Sequence, residues 1–112
     1  MTLDEIMEVM VKEALAGKKV VRLHTGDPPL YSALREQADY LEKEGIPYEV
    51  VPGVSSAFAS ASALKRELTL PEITQTVIFT RLEGNTPVPE KERLSLLAKH
   101  NATMCIFLSV GM

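Results

Sequence analysis

Cysteine, long apolar runs and clusters of basic residues are all scarce in this 112-residue chain. Cys105 is the single cysteine, so an intrachain disulfide is excluded and a reducing cytoplasm fits the sequence. No apolar run approaches the roughly 20 residues needed to span a bilayer, and the amino-terminal residues lack the pattern of a signal peptide. We therefore expect a cytoplasmic protein with no membrane partner.

The charge and composition exclude further classes of protein. A formal net charge of −3 provides no overall attraction to a phosphate backbone, so we expect no nucleic-acid partner. Apolar residues make up 46% of the chain and charged residues 24%, which is typical of a globular domain rather than a disordered segment. The length suits one domain with a single core.

Several catalytic signatures are also absent. The chain contains no phosphate-binding loop of the form G-x-x-x-x-G-K-[ST], no G-x-G-x-x-G and no G-x-S-x-G nucleophile elbow. His24 and His100 lie far apart in sequence and do not combine with Cys105 at a metal-binding spacing. We therefore predict no metal site and assign no side chain a catalytic role.

Helical and strand-like patterns alternate along the chain. Thr2 and Glu5 have the spacing of a capping box, and Gly17 is placed to end the first helix. Alternation of short apolar strands with helices is typical of crossover units on a parallel sheet, and so predicts a three-layer α/β sandwich on a mainly parallel sheet. The predicted strands are 19–24, 47–51, 75–80 and 103–110, and the later helices are 30–44, 52–68 and 90–101.

Two junctions between a predicted strand and a predicted helix are candidates for a ligand site. The first is HTGDPP (24–29), where Asp27 and Pro28 could simply begin a helix or could instead face a ligand. The second is VPGVSSAF (51–58), whose serines could likewise cap a helix or bind a polar ligand. Since ligands of parallel sheets bind beyond the carboxyl ends of the strands, we expect the two junctions to lie together.

Longer stretches at continuous spacing resemble one known family. These stretches are HTGDPPLY, VPGVSSAF, ELTLPEITQTVIFTRLEGNTPVPE and LAKHNATMCIFLS, and together they span essentially the whole chain. They resemble the tetrapyrrole (corrin/porphyrin) methylases. Within that family, TRLEGNTPVPE (80–90) is similar to the members that methylate carbon 11 of precorrin-4 or cobalt-precorrin-4 in cobalamin biosynthesis.

The resemblance implies S-adenosylmethionine as methyl donor, with S-adenosylhomocysteine as the product, bound between an N-terminal and a C-terminal α/β domain. Methyl transfer of this kind requires positioning and exclusion of water more than a strong acid or base. The donor-binding residues implied by the resemblance are Thr25, Gly26, Asp27, Leu30, Ser55, Ser56 and Leu108.

The acceptor implied by the resemblance is a tetrapyrrole that carries many carboxylates, so it requires local cationic groups. Arg81, beside a loop rich in glycine and proline, is the first candidate, and Tyr31 and Glu83 are further candidates. A solvated or salt-bridged arginine at the end of a strand is the alternative interpretation of Arg81.

The chain also departs from the family pattern. The first strand with its G-x-G-P-G loop and the C-terminal domain have no counterpart, and Ser32 stands where the family usually has glycine. Residues 1–112 are thus expected to form a partial N-terminal domain, and unpaired strand edges predict a homodimer or other self-association. The alternative to a methyltransferase is a truncated, non-catalytic remnant with a partial binding or assembly role.

Overall fold

The computed structural model describes residues 1–111, and the chain divides into two compact units. The first unit is Met1–Ser56 and the second is Ala57–Met112. Met112, the last residue of the predicted partial domain, lies outside the described residues. Each unit is described by itself.

The first unit begins with helix α1, Leu3–Leu15. The predicted capping box is confirmed, because the Glu5 amide donates to Thr2 Oγ1 at 3.2 Å and the Thr2 amide donates to Glu5 Oε2 at 3.1 Å. Gly17, with φ of 84°, follows the end of the helix as predicted. Met7 faces inward and is fully buried, so it anchors the apolar face of α1.

Helix α2, Leu34–Lys43, packs against α1, and the Tyr40 hydroxyl donates to the Asp4 carboxylate. The sequence correctly predicts its end before Gly45 but places its start too early, at residue 30. Tyr31 and Ala33 adopt left-handed backbone conformations, with φ of 54° and 57°, which an α-helix cannot include. The helix therefore begins only after Ala33.

The predicted strands 19–24 and 47–51 are not formed, so this part of the prediction is wrong. Neither segment pairs with another strand among residues 1–111. A strand is stabilised only when a neighbour satisfies its backbone groups, and the local pattern of apolar residues does not supply that neighbour. Val21, Leu23 and Val51 remain 69%, 83% and 70% exposed.

The second unit contains a parallel pair of strands, which confirms the α/β class and the parallel pairing. Helix α3, Ser56–Ala63, leads into this unit and is shorter than the helix predicted over 52–68. Strand β1, Val77–Arg81, pairs with strand β2, Thr103–Phe107, in a register that places Val77 beside Thr103 and Arg81 beside Phe107. β2 lies within the predicted strand 103–110, and β1 overlaps the predicted strand 75–80 but ends one residue later, at Arg81.

The connection from β1 to β2 is helical but broken. Residues 90–101 were expected to form one helix, and this prediction is wrong: Glu90–Glu92 and Ala98–His100 form 3-10 turns around a short helix α4, Leu94–Leu97. Residues 90–93 are all charged, so the predicted helix has no apolar face in its first turn that could pack against the sheet. No helix within residues 1–111 is both long and apolar enough to cross a membrane.

Three phenylalanines form a chain of edge-to-face contacts in the second unit. The ring of Phe79, in the middle of β1, lies 5.7 Å from that of Phe58 in α3 and 5.9 Å from that of Phe107 in β2, measured between centroids. Edge-to-face pairs at this separation have a favourable geometry. Phe79 therefore joins helix α3 to both strands.

We expect Phe79→Ala to lower the free energy of unfolding by roughly 2 kcal/mol, because it removes both ring contacts and leaves a cavity between helix and sheet. Phe58→Ala is the matched control, since Phe58 is 53% exposed and contributes one of the two contacts. Urea denaturation followed by circular dichroism measures both. An equal or larger loss in the Phe58 variant would contradict the central position of Phe79.

Candidate functional site

The two predicted junctions lie in direct backbone contact within the first unit, as expected. A Cβ atom added to Gly53 would overlap the carbonyl oxygen of Gly26 and would lie 3.2 Å from its carbonyl carbon. A Cβ on Gly26 would in turn lie 3.9 Å from the Cα of Ser55. Glycine is therefore required at position 53, because any side chain would force the two loops apart.

Asp27 adds a polar link to this contact. Its Oδ1 accepts a hydrogen bond from the Gly53 amide at 3.3 Å, and its backbone carbonyl accepts one from the Leu30 amide at 3.1 Å. The first of the two interpretations of HTGDPP is therefore wrong: Asp27 does not cap a helix and Pro28 does not open one, since α2 begins only at Leu34. The carboxylate instead fixes the second loop.

The remaining predicted donor residues of the first unit occupy the same two loops. Thr25 is exposed in a bend, and Leu30 is half-buried in the turn that Asp27 closes. Ser55 is only 6% exposed, while Ser56 is exposed and is the first residue of α3. The loops thus bring together a buried hydroxyl, an exposed hydroxyl and the carboxylate of Asp27.

Sequence analysis missed Gln37, which is 4% exposed in α2. Its position offers a signal, because it lies three residues after Leu34 and four before Leu41, on the apolar stripe of the helix. A polar residue at such a position requires buried partners. Tyr31, predicted to contact the acceptor, lies in the turn that precedes this helix.

In the second unit, Arg81 organises the loop that follows β1. Its Nη1 donates to the carbonyl oxygens of Leu82 and Thr86 at 3.2 and 3.1 Å, and its Nη2 donates to that of Pro87 at 3.4 Å. Among the described residues no carboxylate forms an ion pair with Arg81, so the salt-bridged alternative is not what this structure contains. The guanidinium is instead bound to backbone carbonyl oxygens of the loop.

Glu83 holds the far end of the same loop, since its Oε1 accepts a hydrogen bond from the Val88 amide at 3.2 Å. The loop borders a concavity of about 190 Å³. Its lining residues are Arg81, Leu82, Glu83, Val88, Glu92, Arg93 and Leu94. Leu108, the last predicted donor residue, directly follows β2 and is 69% exposed with φ of 54°.

Across residues 1–111, no group of three or more histidine, cysteine, aspartate or glutamate side chains is arranged to hold an ion. Cys105 lies half-buried in β2. The polar groups of the candidate site are therefore backbone amides and carbonyls, hydroxyls, carboxylates and one guanidinium.

Comparison with known proteins identifies the class. The family model described as Tetrapyrrole (Corrin/Porphyrin) Methylases matches residues 1–111. The chain belongs to this family, which confirms the resemblance inferred from its motifs.

Individual relatives carry names that are more specific than the description of the family. A cobalt-precorrin-4 C(11)-methyltransferase of Methanocaldococcus jannaschii is 63% identical over the whole chain, which covers 43% of that protein. The X-ray structure of a cobalt precorrin-4 methyltransferase superposes with a TM-score of 0.91 at 54% identity, over 97% of this chain and 46% of the other. A uroporphyrin-III C-methyltransferase of Thermus thermophilus, crystallised with S-adenosylhomocysteine, gives a TM-score of 0.66 at 30% identity over 80% of this chain and 39% of the other. The chain thus spans less than half the length of each relative.

We expect Gly53→Ala to destabilise the fold by about 1 to 3 kcal/mol, the range of overpacking substitutions, because the added methyl group overlaps the Gly26 carbonyl. Gly84→Ala is the matched control, since a Cβ at position 84 meets no atom within 4 Å and the residue has no positive φ. Thermal unfolding of both variants provides the comparison. Equal stability of the two variants would refute the close contact between the loops.

Proposed function

We propose that this chain supplies the donor-binding part of an S-adenosylmethionine-dependent methyltransferase that acts on carbon 11 of precorrin-4 or cobalt-precorrin-4 in cobalamin biosynthesis. The observation that carries the proposal is the backbone contact between Gly26 and Gly53, which joins the two ligand-site loops. The names of the two cobalt-precorrin-4 methyltransferases support this reaction, and the name of the uroporphyrin-III C-methyltransferase supports methyl transfer to a tetrapyrrole. We further propose that residues 1–112 form part of the N-terminal domain of such an enzyme.

In the first unit, the donor side is proposed to use the two loops that meet at Gly26 and Gly53. In the second unit, taken by itself, the residue after β2 is a further proposed donor residue. Backbone groups of Thr25 and Gly26 and the carboxylate of Asp27 would bind polar groups of the donor, while Leu30 would pack against an apolar part. Ser55 and Ser56 offer hydroxyls from the second loop, and Leu108 offers the backbone after β2. S-adenosylmethionine supplies an electrophilic methyl group, so these residues need only orient it and exclude water.

The acceptor side is proposed to involve Arg81, Tyr31 and Glu83. An arginine side chain carries five N–H donors, and the three hydrogen bonds to loop carbonyls use three of those of Arg81. Its charge and its remaining donors suit the carboxylates of a tetrapyrrole. Glu83 would act indirectly, because its carboxylate accepts a hydrogen bond from the Val88 amide and so stabilises the loop that contains it. Tyr31 would contact the acceptor from its position beside the donor loop.

Titration calorimetry with S-adenosylhomocysteine tests the donor site. We expect the 112-residue chain to bind this ligand, and Asp27→Asn to weaken binding by about tenfold, because the exchange removes a charge and weakens the link to Gly53. Asp39→Asn, an exposed position in α2, is the control for net charge and should bind as the parent chain does. Absence of heat at millimolar ligand would favour the non-catalytic alternative.

A second candidate, a non-catalytic remnant that acts by assembly, is favoured by the exposed apolar side chains of segments 19–24 and 47–51. Unpaired backbone and exposed apolar residues promote association between chains. We therefore propose a homodimer or other self-association as its mode of action, and the net charge of −3 disfavours nucleic-acid and anionic membrane partners.

We expect Val21→Lys combined with Leu23→Lys to shift the chain toward the monomer, because two charges on an exposed segment oppose pairing. Multi-angle light scattering at several concentrations measures the molecular mass. Lys18→Arg combined with Lys19→Arg, in the adjacent residues, retains charge and should leave the mass unchanged. A monomeric parent chain at all concentrations would rule out self-association.

A further inference from the structure

Gln37 is buried in α2, although its side chain is polar and nothing in the proposed reaction uses it. It is 4% exposed and is the one buried residue of this helix. Burying an amide destabilises a fold unless the amide finds hydrogen-bond partners. The partners of Gln37 therefore indicate what its burial achieves.

The amide nitrogen reaches back to the turn that precedes the helix. Gln37 Nε2 donates to the carbonyl oxygen of Ser32 at 3.0 Å and to that of Ala33 at 3.3 Å. The amide oxygen accepts from Arg22 Nε at 3.4 Å, and because arginine has donors only, this contact also defines which end of the amide faces the turn. The side chain is thus held between segment 19–24, through Arg22, and the turn.

The turn at residues 31–33 is strained. Tyr31 and Ala33 both have positive φ, of 54° and 57°, and neither is a glycine. Ala33 is also the N-cap of α2 and provides no side-chain cap. Left-handed conformations at such residues persist only where surrounding contacts enforce them. The hydrogen bonds from Gln37 meet that requirement at Ala33, because they hold the carbonyls of Ser32 and Ala33, which flank the Ala33 Cα.

We propose that Gln37 is a positioning residue for the methyl-donor loop: its amide holds the strained turn at Tyr31–Ala33 and thereby fixes the loop from Asp27 to Leu30. The proposal rests on the proposed function, because it assumes that this loop binds the donor. The side-chain hydrogen bonds of Gln37 are to Arg22, Ser32 and Ala33, so it acts on the loop through Ser32 and Ala33.

Stabilisation of α2 alone does not account for this geometry. The Gln37 backbone amide already donates to the Ala33 carbonyl at 3.2 Å and forms the first helical turn. The side chain adds a bond to Ser32, which lies outside the helix. The extra hydrogen bond therefore restrains the turn that precedes α2 rather than the helix itself.

Gln37→Glu tests the role of the amide, because it preserves length and the acceptor for Arg22 but removes both donors at neutral pH. We expect S-adenosylhomocysteine to bind about tenfold more weakly, and the Leu30 amide, which closes the loop on Asp27, to exchange faster with deuterium. The amides within α2 should keep their protection. As the pH falls and the introduced carboxyl gains a proton, and with it a donor, affinity should recover.

Gln75→Glu is the matched control, since it makes the same chemical change at an exposed position and should leave binding and exchange as in the parent chain. Gln37→Met removes the donors without adding charge, so it provides the same test if the first variant does not fold. Ala33→Gly, added to either variant, should restore part of the affinity, because glycine adopts a positive φ without strain.

Unchanged affinity and unchanged exchange at Leu30 in the Gln37 variants would overturn the proposal. So would a loss of protection throughout α2 that Ala33→Gly does not reverse, since that result indicates a purely structural role. If the parent chain binds no S-adenosylhomocysteine, the proposed function fails, and the exchange rate at Leu30 alone decides whether Gln37 positions the loop.

Discussion

The first unit depends on one steric constraint, the approach of the Gly53 backbone to the carbonyl group of Gly26. No side chain fits between them, so the two loops that follow segments 19–24 and 47–51 meet backbone to backbone. The Asp27 carboxylate then bonds to the Gly53 amide, and buried Ser55 lies beside Gly26. Backbone contact of this kind presents amides and carbonyls at a defined spacing, which suits a ligand that must be oriented rather than activated.

Sequence reasoning succeeds here where the signal is local. The Thr2–Glu5 capping box and the glycines that end α1 and α2 involve residues a few positions apart, and all of them are confirmed. The two junctions lie together as expected, although the parallel strands 19–24 and 47–51 on which that expectation rested are not formed. The motifs that identified the family could be read without any structure, since they extend along the whole chain.

Sequence reasoning fails where the outcome depends on partners. Segments 19–24 and 47–51 have the apolar residues of strands, but a strand requires a neighbour, and none pairs with them in residues 1–111. The start of α2 was misplaced because Asp27 and Pro28 have the pattern of a helix start, whereas the Asp27 side chain is engaged by Gly53. The burial of Gln37 can be suspected from its place on the apolar stripe of α2, but its hydrogen-bond partners could not be predicted, because they lie in a turn with positive φ that contains no glycine.

The parallel pairing of β1 with β2 has a consequence for the order of folding. The whole of residues 82–102 must be in place before the two strands can meet in register, so the closing of this sheet is a non-local and comparatively slow step. The loop after β1 can form without β2, because Arg81 and Glu83 form hydrogen bonds only to residues no more than six positions away. During synthesis, the loop can therefore take shape before the strand that completes its support has been made.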